Sequence, residues 1–251
     1  MRPARWARPR TVAVTAAVVL LAACTAEPVQ GDDPLRPELG TIDVLPEPGA
    51  TVAPEREQTY EGALAARAAI PGGTGNKFAR TVVGGASGGA DALDYGERDE
   101  LWFGVAVYLP AGFHDAVATY YSPLRWDTFG VASVSRSGLA MYDDGRIRLF
   151  REQDDVEEQV NLLDDVTVRL EEERWYWLEV HQRLSATDGQ AVNQLFVDGR
   201  EIGSSTARNY YGDPVSAVRY GIVAVSGGEQ TAPLEMLYDR PTLGSARVGP
   251  R

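Results

Sequence analysis

The chain has 251 residues, 44% hydrophobic and 24% charged, with 26 glycines and 15 prolines, a globular composition rich in turn formers. A single cysteine excludes an internal disulfide and a cysteine-rich zinc site, and two histidines argue against a multi-histidine metal centre. The formal charge of −12 argues against nucleic acid, whose phosphates need a basic face.

Residues 1–10 carry Arg2, Arg5, Arg8 and Arg10, and residues 11–23 are apolar or small and uncharged. This is the layout of a secretory signal. The apolar run is too short to cross a bilayer as a helix, which takes about 20 residues. It ends in Leu21-Ala22-Ala23-Cys24, which resembles the lipobox of bacterial lipoprotein signal peptides. The resemblance implies cleavage before Cys24 and lipidation of its thiol, by palmitate or a similar acyl chain. It also implies a lipid anchor at the extracytoplasmic face of the cell membrane. Stable anchoring needs more than one acyl chain, and a multiply acylated Cys24 supplies that. Loss of the four leader arginines takes the formal charge from −12 to −16. So acidic a domain should stand off an anionic membrane rather than cling to it.

Residues 24–57 read as a lipidated tether. Pro28, Pro34, Pro37, Pro46, Pro48 and Pro54 fall here with eight acids and little periodic apolar content. Such composition cannot bury a core and is expected to be disordered. It could reach roughly 110 Å at full extension. Residues 58–244 then form one domain, and 245–251 read as a tail.

Residues 62–70 are alanine-rich and could form a short helix by propensity. A strand is preferred, because Pro71-Gly72-Gly73 follows and residues 78–83 need a pairing partner. The run 101–109 alternates, with Leu101, Phe103, Val105, Val107 and Leu109 on one face. Tyr120, Tyr121, Arg125 and Trp126 fall in an aromatic-rich loop or strand, and 129–134 reads as a further strand. Asp143-Asp144-Gly145 and Asp198-Gly199 each mark a hairpin turn. Residues 175–184, 220–225 and 234–243 complete the strands. Many strands, regular turns and no alternation of strand with helix predict an all-β, antiparallel β-sandwich.

Three segments carry a resemblance to a family. "LWFGVAVYLPAGF" at 101–113 is an aromatic strand with a proline end. "RWYWLEVHQRL" at 174–184, followed by "NQLFVDGREI" at 193–202, is a Trp-led strand and a V-D-G hairpin. "APLEMLYDRPTLG" at 232–244 is a closing strand. Together they resemble the concanavalin A-like lectin/glucanase superfamily, which includes laminin-G-like modules and heparin-lyase-like polysaccharide lyases. The resemblance implies a jelly-roll sandwich. It says little about activity, because the fold hosts lectins, hydrolases and lyases alike.

The strand 175–184 is the richest in chemistry. Tyr176, Leu178, Val180 and Leu184 point one way; Trp175, Trp177, Glu179, His181 and Arg183 point the other. Flat aromatic rings with a few polar groups suit a sugar, so these five are the expected carbohydrate-binding residues. The alternative is a sheet face covered by loops, with Glu179 and Arg183 as an ordinary neighbour pair. A polysaccharide lyase abstracts a proton beside a uronate carboxylate, using His or Tyr as base and Arg to neutralise the carboxylate. His181, Tyr120, Tyr121, Tyr210 and Arg125 are the candidates for those roles. The net acidity weighs against a polyanionic substrate unless a local basic groove overrides it.

Other motifs point to turns. Gly85-Ala86-Ser87-Gly88-Gly89 matches G-x-S-x-G literally, but no helix follows, and a loop is expected. Glu97-Arg98-Asp99-Glu100 lacks glucanase spacing and reads as a solvated turn. No metal or other cofactor is expected, although the pairs Asp143-Asp144, Asp154-Asp155 and Asp164-Asp165 make calcium admissible. The leading expectation is a monomeric surface protein that binds a polysaccharide or cell-wall glycan without catalysis. A polysaccharide lyase and a protein-interaction module are the alternatives.

Overall fold

The structure, a computed structural model, describes residues 42–46, 49–72, 78–84, 93–117, 120–129, 134–153, 156–163, 168–226 and 232–250. They lie in one compact unit, Gly31–Arg251. The leader, Cys24, the loop 85–89, the pairs Asp154-Asp155 and Asp164-Asp165, and residues 130–133 lie outside the described residues.

Fourteen strands are described: β1 (Ile42–Pro46), β2 (Thr51–Glu55), β3 (Ala65–Ile70), β4 (Ala79–Gly84), β5 (Glu100–Leu109), β6 (Tyr120–Phe129), β7 (Val134–Tyr142), β8 (Ile147–Gln153), β9 (Val156–Asn161), β10 (Arg174–Arg183), β11 (Val192–Val197), β12 (Arg200–Ser205), β13 (Val215–Ser226) and β14 (Leu234–Gly244). The one described helix, α1, is the short turn Phe113–Ala116. Two seven-stranded antiparallel sheets result. Sheet A runs β1-β4-β13-β6-β7-β8-β9, and sheet B runs β12-β11-β10-β5-β14-β3-β2. The expected all-β sandwich is what forms.

Alternation explains the core. Leu101, Phe103, Val105, Val107 and Leu109 of β5 are wholly buried, as are Leu178 and Val180 of β10. Tyr121, Leu124 and Trp126 of β6 and Leu139 and Met141 of β7 meet them from sheet A. Phe103 stacks on Trp126 across the gap, with ring centroids 4.3 Å apart. Burying such a side chain contributes about 1.5–3 kcal/mol.

Both predicted hairpins are present. Asp198 and Gly199 each take positive φ, as a tight hairpin turn between right-twisted strands requires. The segment Glu97–Glu100 does turn into β5, with the Gly96 N–H donating to Asp99 and Arg98 at positive φ.

Two expectations are corrected and one left open is settled. The strand within 62–70 exists, but its partners are β14 and β2, while β4 pairs with β1 and β13 in the opposite sheet. Strand pairing begins at Ile42, inside the stretch expected to be disordered. β1 and β2 are edge strands, where a proline lacking its N–H costs no ladder bond, so Pro46 and Pro54 are accommodated. The aromatic segment from Tyr120 is a central strand that carries Pro123. Pro123 fits because β6 is bulged there: Tyr121 pairs with Met141 but Leu124 pairs with Leu139. β13 bulges against the same place, between Tyr220 and Ala224. Coincident bulges re-aim the side chains beside them.

Candidate functional site

The outer face of sheet B carries the five residues expected to bind sugar. Its centre is covered by the chain itself. Trp177 is wholly buried and Glu179 is 1% exposed. Tyr60 stacks on Trp177 at 6.2 Å, and the Arg240 guanidinium lies 4.9 Å from the same ring. Trp177 also fills the space above Gly104, where a Cβ would come within 2.5 Å of its ring. The Glu179 carboxylate accepts from Arg247 Nε at 2.7 Å and from the Gly249 N–H at 2.9 Å. Arg247 in turn lies 4.1 Å from the Phe196 ring and 5.7 Å from the Trp102 ring. The tail therefore seals this face. Asp239 takes the N–H groups of Tyr60 and Glu61 at 3.0 Å each. Burial raises its pKa, with those hydrogen bonds opposing the shift.

The open groove expected on β10 is thus replaced by a packed layer. The alternative, a face covered by the chain, is what forms, but without its Glu179–Arg183 pair: Glu179 binds the tail, and Arg183 donates to the Gln190 carbonyl. His181 stacks on Trp102 at 4.1 Å, with Nδ1 2.6 Å from Gln194 Oε1 and Nε2 3.7 Å from Glu100. Trp175 packs against Tyr60 and Tyr108.

The outer face of sheet A has different chemistry. Arg219 of β13 is the cross-strand partner of Arg125 of β6. Asp127 lies two residues along from Arg125 and is 2% exposed. Its carboxylate accepts from Arg125 Nε at 2.9 Å and is ion-paired with Arg219. Burial, then the charges of Arg80 and Arg125, push Arg219 down to about 9. The paired Asp127 carboxylate acts the other way. Arg80 packs over the Phe78 ring at 4.5 Å. One strand further, Arg136 pairs with Glu152 at 3.7 Å.

Aromatic rings continue this face. Tyr120 of β6 lies opposite Tyr142 of β7, with centroids 5.8 Å apart, and 6.4 Å from Phe150 of β8. Gly138 and Ala140 of β7 sit between, small enough for rings from β6 and β8 to meet across them. The Arg148 and Arg146 guanidiniums lie 5.1 and 5.5 Å from the Tyr142 ring.

Of the five lyase candidates, the fold brings Tyr120 and Arg125 together on this face. Tyr121, next to Tyr120, points into the core, where its hydroxyl meets Met141 Sδ at 3.0 Å and burial raises its pKa. Tyr210 is buried where its N–H meets the Ser185 carbonyl, its pKa raised by burial and then by Asp213. His181 is on the other sheet. The remaining histidine, His114, is on α1 with Nε2 2.9 Å from the Leu170 carbonyl. Sequence reasoning missed Arg219, Asp127, Arg80, Tyr142 and Arg148. The odd-position charges of Arg125 and Asp127 within an apolar run were the available signal. Among the described residues no three His, Cys, Asp or Glu side chains group to hold a metal ion. Asp144 is engaged in its turn with Arg146.

No family model matches the chain, and no curated protein matches it by sequence. Solved structures do match. The chain is similar to the endo-β-1,4-glucuronan lyase of the fungus Trichoderma reesei, at 16% identity and a TM-score of 0.61, over 81% of this chain and 90% of that one. It is similar to alginate lyase vAL-1 from Chlorella virus, at 12% identity and a TM-score of 0.56, over 78% and 89%. It is also similar to alginate lyase Aly36B, solved as a mutant with an alginate trisaccharide, at 10% identity and a TM-score of 0.58, over 83% and 89%. At these identities the likeness is one of fold: a β-sandwich of the kind polysaccharide lyases have.

Proposed function

We propose that the protein binds a uronate-containing polysaccharide on the outer face of sheet A and cleaves it by β-elimination. The observation that carries this reading is the pairing of Arg125 with Arg219, with Arg80 beside them, on the same face as Tyr120 and Tyr142, which lie four β7 residues further along. Guanidiniums suit a sugar carboxylate because their paired N–H donors match its two oxygens. Neutralising that carboxylate makes the adjacent C–H more acidic. His181 is on sheet B, and His114 is on α1 beside the β7–β8 turn with its Nε2 at the Leu170 carbonyl, so neither is on a strand of this face; a tyrosine is the base, and Tyr120 shares a strand with Arg125. The base takes the proton on the carbon beside the carboxylate. The glycosidic C–O bond breaks, the leaving oxygen takes up a proton, and a C=C bond forms in the new end sugar. Lyase neighbours act on glucuronan and alginate, both in keeping with this chemistry.

The test is ultraviolet absorbance of that new double bond across uronate polymers, glucuronan and alginate among them. Wild type should give a rise, Arg125→Gln should lose both binding and rise, and Tyr120→Phe should bind without a rise. Wild-type binding with no rise on any polymer supports the non-catalytic carbohydrate-binding reading, for which the absence of a histidine from the face also speaks. No binding and no rise would overturn both.

We also propose that the domain is held at the extracytoplasmic face of the membrane through lipidated Cys24. The lipobox-like Leu21-Ala22-Ala23-Cys24 supports this. Cys24→Ala should move the protein from the detergent phase to the aqueous phase on phase partitioning; an unchanged distribution would overturn it.

A further inference from the structure

Most cations on the outer face of sheet A are engaged. Arg125 and Arg219 hold Asp127, Arg136 pairs with Glu152, and Arg146 is bound through Nε to Asp144 at 2.6 Å. Arg148 differs. It is half-buried on β8, and its guanidinium rests over the Tyr142 ring. Among the described residues it makes no hydrogen bond or ion pair. A guanidinium ordered by a ring but with its N–H edge uncommitted is preset to take an anion.

Its place in the sheet gives the offset. Arg148 pairs with Ala140, and Arg125 pairs with Gly138, on opposite sides of β7. Two strand spacings across and two residues along place their Cα atoms roughly 12 Å apart. The Tyr120–Tyr142 pair lies one outward-facing position beyond Ala140 on β7, and its rings are a surface on which sugar C–H faces can lie.

We infer that Arg148, backed by Tyr142, is a second acidic-group subsite on this face. It engages a second carboxylate of a chain already held at Arg125 and Arg219, and so favours uronate chains long enough to span both sites over short ones. This deepens the uronate-binding proposal and rests on it. A chain bound at Arg125 and Arg219 reaches Arg148 only if it is long enough, so the subsite should act on long ligands and not on short ones. Engagement of the second site is then intramolecular and raises affinity without altering the first.

The experiment is calorimetric titration of wild type and Arg148→Gln with homopolymeric uronate oligosaccharides of increasing length. Because Arg148 makes no structural ion pair, the variant should fold as wild type does. Wild-type affinity should step up once the oligosaccharide spans both sites. Arg148→Gln should remove the step, about tenfold in affinity for one charge-assisted contact, and leave the shortest ligand unchanged. Equal loss at every length, or no loss at any, overturns the subsite while leaving the uronate reading standing. A wild-type chain that binds no uronate ligand overturns both.

Discussion

Arg125 of β6 and Arg219 of β13 stand directly opposite one another on the outer face of sheet A. Like charges so placed repel. Asp127, paired with both, is what lets them share the face. Asp127→Asn keeps shape and removes the charge. Breaking a buried ion pair by neutralising one partner costs about 3–5 kcal/mol, so chemical denaturation should show a loss of that order. The variant also leaves two guanidiniums seeking an anion. A short uronate oligosaccharide should therefore raise the melting temperature of Asp127→Asn more than that of wild type. Equal shifts would mean that the cluster serves packing and not ligand.

Glu179 and Arg247 form the corresponding link on the other sheet. Glu179 is buried while Arg247 is more than a third exposed, so the two partners are not equivalent. Removing Arg247 leaves a buried carboxylate held by the Gly249 N–H alone among its described partners. Arg247→Ala should destabilise by about 1–3 kcal/mol and increase binding of a hydrophobic dye as Trp102 and Phe196 lose their cover. Adding Glu179→Gln should return part of that stability, because no charge is then stranded. A double variant less stable than Arg247→Ala would show that the tail is held by something other than this pair.

The sandwich was legible because its signals are local. Alternation in β5 and β10 and the Asp-Gly turns depend on a few neighbouring residues, and each was read from them. Edge strands β1 and β2 were hidden by prolines that only a position at the sheet margin excuses. β6 stayed open between loop and strand because the tolerance of Pro123 depends on a bulge. The candidate site was harder. Tyr120 and Arg125 could be picked out as types, yet their partner Arg219 lies 94 residues on, and only β13 beside β6 unites them. The mixed face of β10 misled for a related reason. An aromatic face covered by sugar and one covered by the chain's own tail have the same residues, and the covering residue, Arg247, sits in a stretch without any pattern.

Gly104 shows how tightly that covered face is packed. A Cβ there would lie 2.5 Å from Trp177 Cζ2 and 2.5 Å from Thr242 Oγ1. Neither can give easily: Trp177 is held between Gly104, Tyr60 and Arg240, and Thr242 is in β14. Gly104→Ala should cost about 1–3 kcal/mol by overpacking. Trp177→Leu, which frees the Trp177 side of that space, should lower the cost of the same Gly104→Ala change in a double-mutant cycle, with the Thr242 contact remaining. Additive costs would place the strain elsewhere.

Glu55 ties edge strand β2 to β3 and makes the attachment sensitive to acid. The Arg67 guanidinium hydrogen-bonded to its carboxylate, helped by the Glu57 N–H, lowers its pKa from 4.5 to about 2. A carboxylate with a depressed pKa stabilises the fold fully above its unfolded value. That contribution is lost as pH falls from about 4.5 towards 2. The loss should be local, since β2 pairs on one side only. Hydrogen exchange of the Thr51–Glu55 amides should accelerate, relative to the β5 and β10 amides, as pH is lowered through this window, after correction for intrinsic rates. In Glu55→Gln the β2 amides should exchange faster at neutral pH and show no such transition. A transition of the same size in both proteins would assign the acid response to another carboxylate.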